Sequence, residues 1–247
     1  MLFQHATFLH LDSIDSTNNY AANIQKLTPL PEGSVITARY QVQGRGQRGN
    51  VWESANDQNL LFSVLLYPRF INASRPFLLS ELVSVALQSV LEEAAGREMS
   101  IKWPNDILCD ERKISGILIE QNWIGGNVQS AIVGIGINVN QVQFEASRAI
   151  SLKQITGLNH DPLRILHVFM TELEKWYMLA FNGNFDEIRK AYHSALFGKD
   201  AERRYVLADG RVISATIEKV DEEGLLHLTS RETGPMKCGL KEIGFLY

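Results

Sequence analysis

The chain has 247 residues, 45% of them apolar, enough to bury a sizeable core as one large domain or as a main domain with a small one. Its 24 Lys and Arg against 28 Asp and Glu leave a net charge of -4, so the surface as a whole attracts neither nucleic acid nor an anionic membrane, and any phosphate-binding cation must be local. Only Cys109 and Cys238 are present, without CxxC or His/Cys spacing, which excludes a disulfide framework and a zinc site. The first residues show no basic-then-apolar leader and no apolar run approaches the roughly 20 residues of a membrane span, so a cytoplasmic location is expected.

Thr7 to Leu11 predicts a short strand, and Asp15-Ser16-Thr17-Asn18 offers caps for a helix over 19–27 that Pro29, Pro31 and Gly33 then stop. Ser34 to Tyr40 is β-branched and runs into a glycine-rich segment, and Leu60 to Tyr67 predicts a buried strand. Pro76 and Gly96 bracket a helix over 77–95. Ile114 to Glu120 and Val128 to Val139 predict an antiparallel pair joined across Gly125-Gly126. Asp161-Pro162 caps a second long helix, with Leu163, Leu166, Phe169, Met170, Leu173, Trp176 and Tyr177 as its core stripe, and a shorter helix covers 185–196. Beyond Gly198 the pattern changes to short strands broken by glycine turns, which places a domain boundary there: 1–198, then a small all-β domain over 199–247. Strands and helices mix without regular βα alternation. The fold class expected is therefore α+β, a mostly antiparallel mixed sheet with packed helices.

Gly44-Arg45-Gly46-Gln47-Arg48-Gly49 spells the dinucleotide fingerprint, but no helix follows, and Arg69 stands where a ribose-binding acid is expected. With Val51 it also spells the kinase glycine loop, yet no V-A-I-K, H-R-D or D-F-G follows. In isolation the segment reads as a hairpin loop with solvated arginines. Its chemistry nonetheless suits phosphate: glycines let backbone N–H groups approach an anion, and arginines offer forked donors. Such a loop can act as a lid ordered by an anionic ligand.

Lys102-Trp103-Pro104-Asn105-Asp106 gathers a cation, an aromatic face and two polar side chains, and alone reads as a strand connection with a turn. Lys113 opens the apolar run Ile114-Ser115-Gly116-Ile117-Leu118-Ile119-Glu120 and alone reads as a solvated lysine. In the order glycine loop, KWPND, KISGILIE and Gly134-Ile135-Gly136-Ile137-Asn138-Val139-Asn140, preceded by Ser16-Thr17-Asn18, these segments closely resemble the biotin protein ligase family. The resemblance covers roughly residues 10 to 140 in motifs and the remainder in layout.

That resemblance implies a catalytic fold like that of class II aminoacyl-tRNA synthetases, with the C-terminal part an SH3-like β-barrel. It implies that ATP and biotin give biotinyl-5′-AMP and pyrophosphate, and that a lysine of a biotin carboxyl carrier domain of a carboxylase then takes the biotin and releases AMP. Ser16, Thr17, Asn18 and Gln41 would line the biotin pocket, Gly116 would let the ligand lie against backbone, and Gly44, Arg45, Gly46 and Gln47 would fold over it. Lys113 is the first catalytic candidate, with Arg45 and Arg48, because fixed cations lower a barrier at which two anions meet. Arg48, Trp52, Asn105, Asp106 and Asn138 fall on the nucleotide side, with Mg²⁺ expected on the ATP phosphates near Asp106 and no firm metal ligand.

Many family members carry arginine where this loop has Gln47, so its middle is less cationic here. Bifunctional members carry an N-terminal winged helix, for which the residues ahead of the first motif are too few, so a monofunctional form without DNA binding is expected. No membrane partner is expected, and a homodimer through a sheet edge is left open. Two other functions remain to be separated. A lipoate or octanoate protein ligase would need a long apolar slot, and a non-catalytic biotin- or carrier-binding module would not need the set Arg45, Arg48 and Lys113.

Overall fold

A computed structural model describes residues 2–247, with the side chain of Arg48 outside the described residues. The chain runs along strand β1 (Phe8–Ile14), crosses through helix α1 (Thr17–Leu27) and returns beside β1 as β2 (Val35–Gln41). Joining through a helix lets these two strands lie parallel. After the glycine-rich segment come β3 (Leu60–Leu66), helix α2 (Leu78–Ala95) and four strands, β4 (Ser100–Lys102), β5 (Asp106–Cys109), β6 (Arg112–Ile124) and β7 (Asn127–Ile137). They complete a seven-stranded sheet of order β1-β2-β3-β7-β6-β5-β4 in which every pairing but β1–β2 is antiparallel. The expected mixed, mostly antiparallel sheet is what forms.

Side-chain alternation divides β3 between two faces. Leu60, Phe62, Val64 and Leu66 join the main core with α2 and helix α4 (Pro162–Phe181), while Leu65 joins Ala21, Ile36 and Ile132 beneath α1. Both faces being covered, all seven residues of β3 are buried. The face under α1 is covered over only part of its width. The remainder carries the site.

Local chemistry sets the element ends. Gly125 and Gly126 both take positive φ (59° and 83°) in the two-residue turn between β6 and β7, and Gly96 ends α2 in the left-handed region. Asp161 accepts the Leu163 N–H at 2.9 Å, with Pro162 in the first turn of α4. Three elements depart from sequence expectation. Helix α1 starts at Thr17, not 19, and the Ser16 side chain makes no cap hydrogen bond; instead Gln41, at the end of β2, accepts the Thr17 N–H at 2.7 Å. KWPND is a strand connection as expected, but the short strands it joins, β4 and β5, were not revealed by periodicity. A short helix, α3 (Leu152–Thr156), is set by a capping box of Ser151 and Gln154. Within α4, Leu163 is exposed and Ile165 is buried in its stead.

Helix α5 (Phe185–Ser194) leads to a second sheet, β8 (Glu202–Leu207), β9 (Val212–Val220), β10 (Leu226–Ser230), β11 (Gly234–Cys238) and β12 (Ile243–Phe245), five antiparallel strands ordered β11-β10-β9-β8-β12. The expected small all-β part is this separate antiparallel sheet, and among the described residues no pairing joins its end strands β11 and β12. Its inner residues Tyr205, Ile217 and Leu226 belong to the same core as α2. Trp103 Nε1 donates to the Gly224 carbonyl at 2.9 Å, linking KWPND to the β9–β10 turn. No described helix is long and apolar enough to cross a membrane.

Where α2, α5 and the β9–β10 turn meet, Glu81 is 1% exposed. Arg189 reaches it with Nε at 3.8 Å and pairs through Nη1 with Glu222. Burial pushes the Glu81 carboxyl up to about 7; Glu222 adds to the rise, and Arg189 and Arg75 oppose it. The Tyr192 hydroxyl, buried beside this cluster without a hydrogen-bond partner, is also pushed up by burial. The folded state thus favours protonated Glu81. That stability is fully present below the unfolded carboxyl's ordinary value and is lost as pH rises through about 7. Glu81→Gln should therefore reduce the stability loss between pH 5 and pH 8 by about 2 to 3 kcal/mol in urea denaturation. An unchanged pH dependence would refute the assignment.

Candidate functional site

Antiparallel register sets Gly116 opposite Gly136, Leu118 opposite Gly134 and Glu120 opposite Ile132. Period two puts all six on one face, so three glycines leave a bare trough on the uncovered part of the sheet. The trough is occupied from above. A methyl group at Gly134 would overlap the Asn18 amide, and one at Gly136 would overlap the Trp52 indole. At Gly116 it would lie 3.0 Å from Trp52 Cζ3 and 3.1 Å from Lys113 Nζ.

One end of the trough is polar. The Ser63 hydroxyl, buried on β3, lies 2.8 Å from Thr17 Oγ1 and 2.6 Å from Asn18 Oδ1. Gln41 Oε1 accepts from both the backbone N–H and the hydroxyl of Thr17, and Asn18 Nδ2 donates to Glu120 Oε2 at 2.8 Å. The N-terminal turn of α1 is thereby fixed by side chains of β2, β3 and β6.

The other end is cationic, and a β-bulge makes it so. Along β5, Ile107 and Leu108 are neighbours, but their partners on β6 are Ser115 and Lys113, leaving Ile114 as the extra residue. Ile114 goes into the core, and Lys113, which plain alternation would send to the face opposite Gly116, joins Gly116 on the cavity wall. Its Nζ lies 2.6 Å from Asp106 Oδ1 and 5.4 Å from the centre of the Trp52 ring. Asn105 Nδ2 donates to the Ile117 carbonyl at 2.6 Å, holding the β4–β5 turn against β6.

The glycine loop closes over the space between these ends. Trp52 N–H donates to the Gly44 carbonyl at 3.0 Å and Gly46 N–H to the Asn50 carbonyl at 2.7 Å, making a small hairpin around a 3₁₀ turn at Gln47–Gly49. Gly44 is needed for this, since a methyl group there would sit 2.7 Å from the Trp52 carbonyl oxygen. The Arg45 guanidinium is committed to Glu120 and to Asn19 Oδ1. Behind the loop, Gln141 Oε1 accepts from Asn59 and from the Ala55 backbone, pinning the segment that carries Trp52.

The cavity so formed is lined by Ser16, Thr17, Asn18, Gln41, Arg45, Gly46, Gln47, Trp52, Asn105, Asp106, Lys113 and Gly116, with Asn50, Val51, Ile117, Leu118, Gly134, Ile135 and Gly136. Of the sequence candidates, Gly44 shapes the loop from beneath. Asn138 is buried away from the lining, its amide donating to the Ile150 carbonyl at 3.1 Å. The Arg48 side chain lies outside the described residues. Sequence reasoning missed Ser63 and Glu120; the signal for Glu120 was its even spacing from Gly116 along one strand.

The family model for the biotin/lipoate A/B protein ligase family matches residues 10–138. The chain belongs to that family. Among its relatives, the Bacillus subtilis bifunctional ligase/repressor BirA is 32% identical over 95% of this chain and 71% of its own length. The Paracoccus denitrificans biotin--[acetyl-CoA-carboxylase] ligase is also 32% identical, over 87% of this chain and 90% of its own. Among solved structures, the biotin protein ligase from Aquifex aeolicus in complex with biotin and ATP superposes with a TM-score of 0.80 at 26% identity, over 96% of this chain and 97% of that one.

The three trough glycines are a packing requirement in this family member, and Gly134 is the most severe. Gly134→Ala forces the Asn18 amide off Ser63 and Glu120, and urea denaturation should show a loss of about 1 to 3 kcal/mol. Wild-type stability would mean that Asn18 is not held there.

Proposed function

We propose that this chain is a biotin protein ligase: it joins biotin to ATP as biotinyl-5′-AMP and transfers biotin to a lysine of a carboxylase's biotin carboxyl carrier domain. The observation that carries this reading is one cavity with a fixed polar end and a cationic end, joined by a glycine-floored trough beneath a loop. The family match and the likeness to a ligase solved with biotin and ATP support it.

Ser16, Thr17, Asn18 and Gln41 meet the ureido ring, whose one acceptor and two donors need a rigid set of complementary groups. The bicyclic body lies along the trough. At the other end the biotin carboxylate oxygen attacks the α-phosphorus of ATP and pyrophosphate leaves. Negative charge gathers there, and Lys113, already oriented by Asp106, supplies a fixed cation at the junction. Backbone N–H groups of the loop, at Gly44, Arg45 and Gln47, add dipoles, and Arg48 adds charge on the nucleotide side. Trp52 offers its face, and an indole N–H without a hydrogen-bond partner, to the nucleotide, and Asn105 lines that end. Asn138 supports the site from behind, through backbone carbonyls that include that of Lys113. In the second step the acceptor lysine's amine attacks the acyl carbon, an amide forms and AMP leaves.

Mg²⁺ carried on ATP would neutralise phosphate charge. Among the described residues no three metal-ligating side chains cluster, and Asp106, paired to Lys113, is the one carboxylate on the cavity lining. The residues therefore fit an ion carried on the nucleotide, with Asp106 at most one ligand.

Purified protein given MgATP should release pyrophosphate in response to biotin and label a carrier-domain lysine. Release with lipoate or octanoate instead would assign the other branch of the family, and release with neither would make the chain a binding module. Lys113→Ala should slow adenylate formation about 100- to 1,000-fold while leaving the thermal midpoint near wild type. Equal loss of fold and activity would make Lys113 structural.

A further inference from the structure

All seven residues of β3 are buried, and Ser63 is the one polar side chain among them. Register sets it opposite Gly134, beside the space that the Asn18 amide fills. A hydroxyl in such a place costs stability unless it is hydrogen-bonded, and an apolar residue would pack there without that demand. Ser63 Oγ lies 2.6 Å from Asn18 Oδ1 and 2.8 Å from Thr17 Oγ1. Both partners line the cavity, and Ser63 does not.

Proton counting gives these contacts a direction. Asn18 Nδ2 donates to Glu120 Oε2 at 2.8 Å and to the Leu118 carbonyl at 3.3 Å, so the amide is turned with its oxygen toward Ser63. An amide oxygen only accepts, and the single Ser63 proton therefore goes to Asn18. Toward Thr17, Ser63 has a lone pair to offer. The Thr17 proton then lies between two acceptors inside the protein, Ser63 Oγ and Gln41 Oε1 at 3.1 Å, and the Thr17 lone pairs are what remain for the cavity. Gln41 Oε1 also accepts the Thr17 N–H at 2.7 Å, which leaves the Gln41 nitrogen to donate.

We infer that Ser63 is a positioning residue that sets the direction of hydrogen bonding along the polar wall, making Thr17 an acceptor and Gln41 a donor toward the ligand without touching the ligand itself. The inference rests on the biotin-ligase reading for the identity of the ligand, and on the buried relay alone for the direction. A cyclic urea carries N–H donors on either side of a carbonyl acceptor, so a wall whose groups each have one assigned role selects it over an acid with no such pattern. Every group in the relay belongs to α1, β2, β3 or β6, and none to the glycine loop. Without the Ser63 proton, Asn18 Oδ1 would be left without that donor, and only the longer contact with Gln41 would hold the Thr17 proton. Thr17 could then turn its proton toward the cavity, where it would oppose a ligand N–H.

In full-length Ser63→Ala, calorimetry should show the biotin Kd raised about fivefold, with kcat at saturating biotin and MgATP within about twofold of wild type. Desthiobiotin, which keeps the cyclic urea but lacks the thioether ring, should lose affinity by the same factor, because the altered wall is the one that meets the urea. Ser63→Cys fills nearly the same space with a weaker donor; its biotin Kd should fall between the two, and it carries the same comparison if Ser63→Ala folds poorly. An unchanged biotin Kd, or a loss for biotin that desthiobiotin does not share, would overturn the assignment. Urea denaturation reads the relay with no ligand present. The midpoint loss of Ser63→Ala combined with Thr17→Val should fall short of the sum of the two separate losses, and additive losses would also overturn the relay. Absence of biotin-dependent pyrophosphate release from wild type would defeat the ligase reading while the urea series still decided the relay.

Discussion

The site depends on a stretch of antiparallel sheet with almost no side chains on one face. Gly116, Gly134 and Gly136 stand together across β6 and β7, and their bareness lets a helix terminus and an indole descend onto backbone. Side chains elsewhere on these strands make the sheet stable, since the opposite face feeds Ile114, Ile117, Val133, Ile135 and Ile137 into the main core. One pair of strands therefore carries two demands, close packing behind and open backbone in front. Period two keeps them apart without compromise.

Much of this could be read from residue order. The glycine loop, KWPND and the run from Lys113 to Glu120 identified the region, and strands, turns and long helices followed from alternation and caps. What escaped was set by contacts distant in sequence. Nothing local says that Gln41 caps α1 in place of Ser16, because the acceptor comes from another strand. Lys113 was suspected from its motif, whereas its arrival on the cavity wall depends on Ile114 bulging from the ladder, and a plain reading of parity points it away. Asn138 shows the reverse. Its place in a nucleotide-like motif suggested ligand contact, whereas burial commits its amide to backbone carbonyls.

Charge is distributed by the same logic. Asp106 sits against Lys113 and Glu120 against Arg45, so these two cations at the cavity each have a carboxylate partner. Asp15 extends the second set through Asn19; the Asn19 hydrogen bond holds its carboxyl below the usual range, with Arg45 a smaller influence. These pairs orient long, flexible side chains that would otherwise sample many rotamers. At partly exposed sites such as these, orientation is a larger contribution than net stability.

The hydrogen bond from Trp103 to the Gly224 carbonyl has a temporal meaning. Trp103 lies in the segment that carries Asn105 and Asp106, while Gly224 belongs to a turn made more than a hundred residues later. During synthesis the seven-stranded sheet can leave the ribosome and pair while this indole still lacks its acceptor. Asn105 can already hold the turn bearing Asp106 against β6, and the indole behind it gains its acceptor only when the β9–β10 turn has formed. A nascent chain that ends near residue 200 thus holds the motifs while the Trp103 indole still lacks this partner.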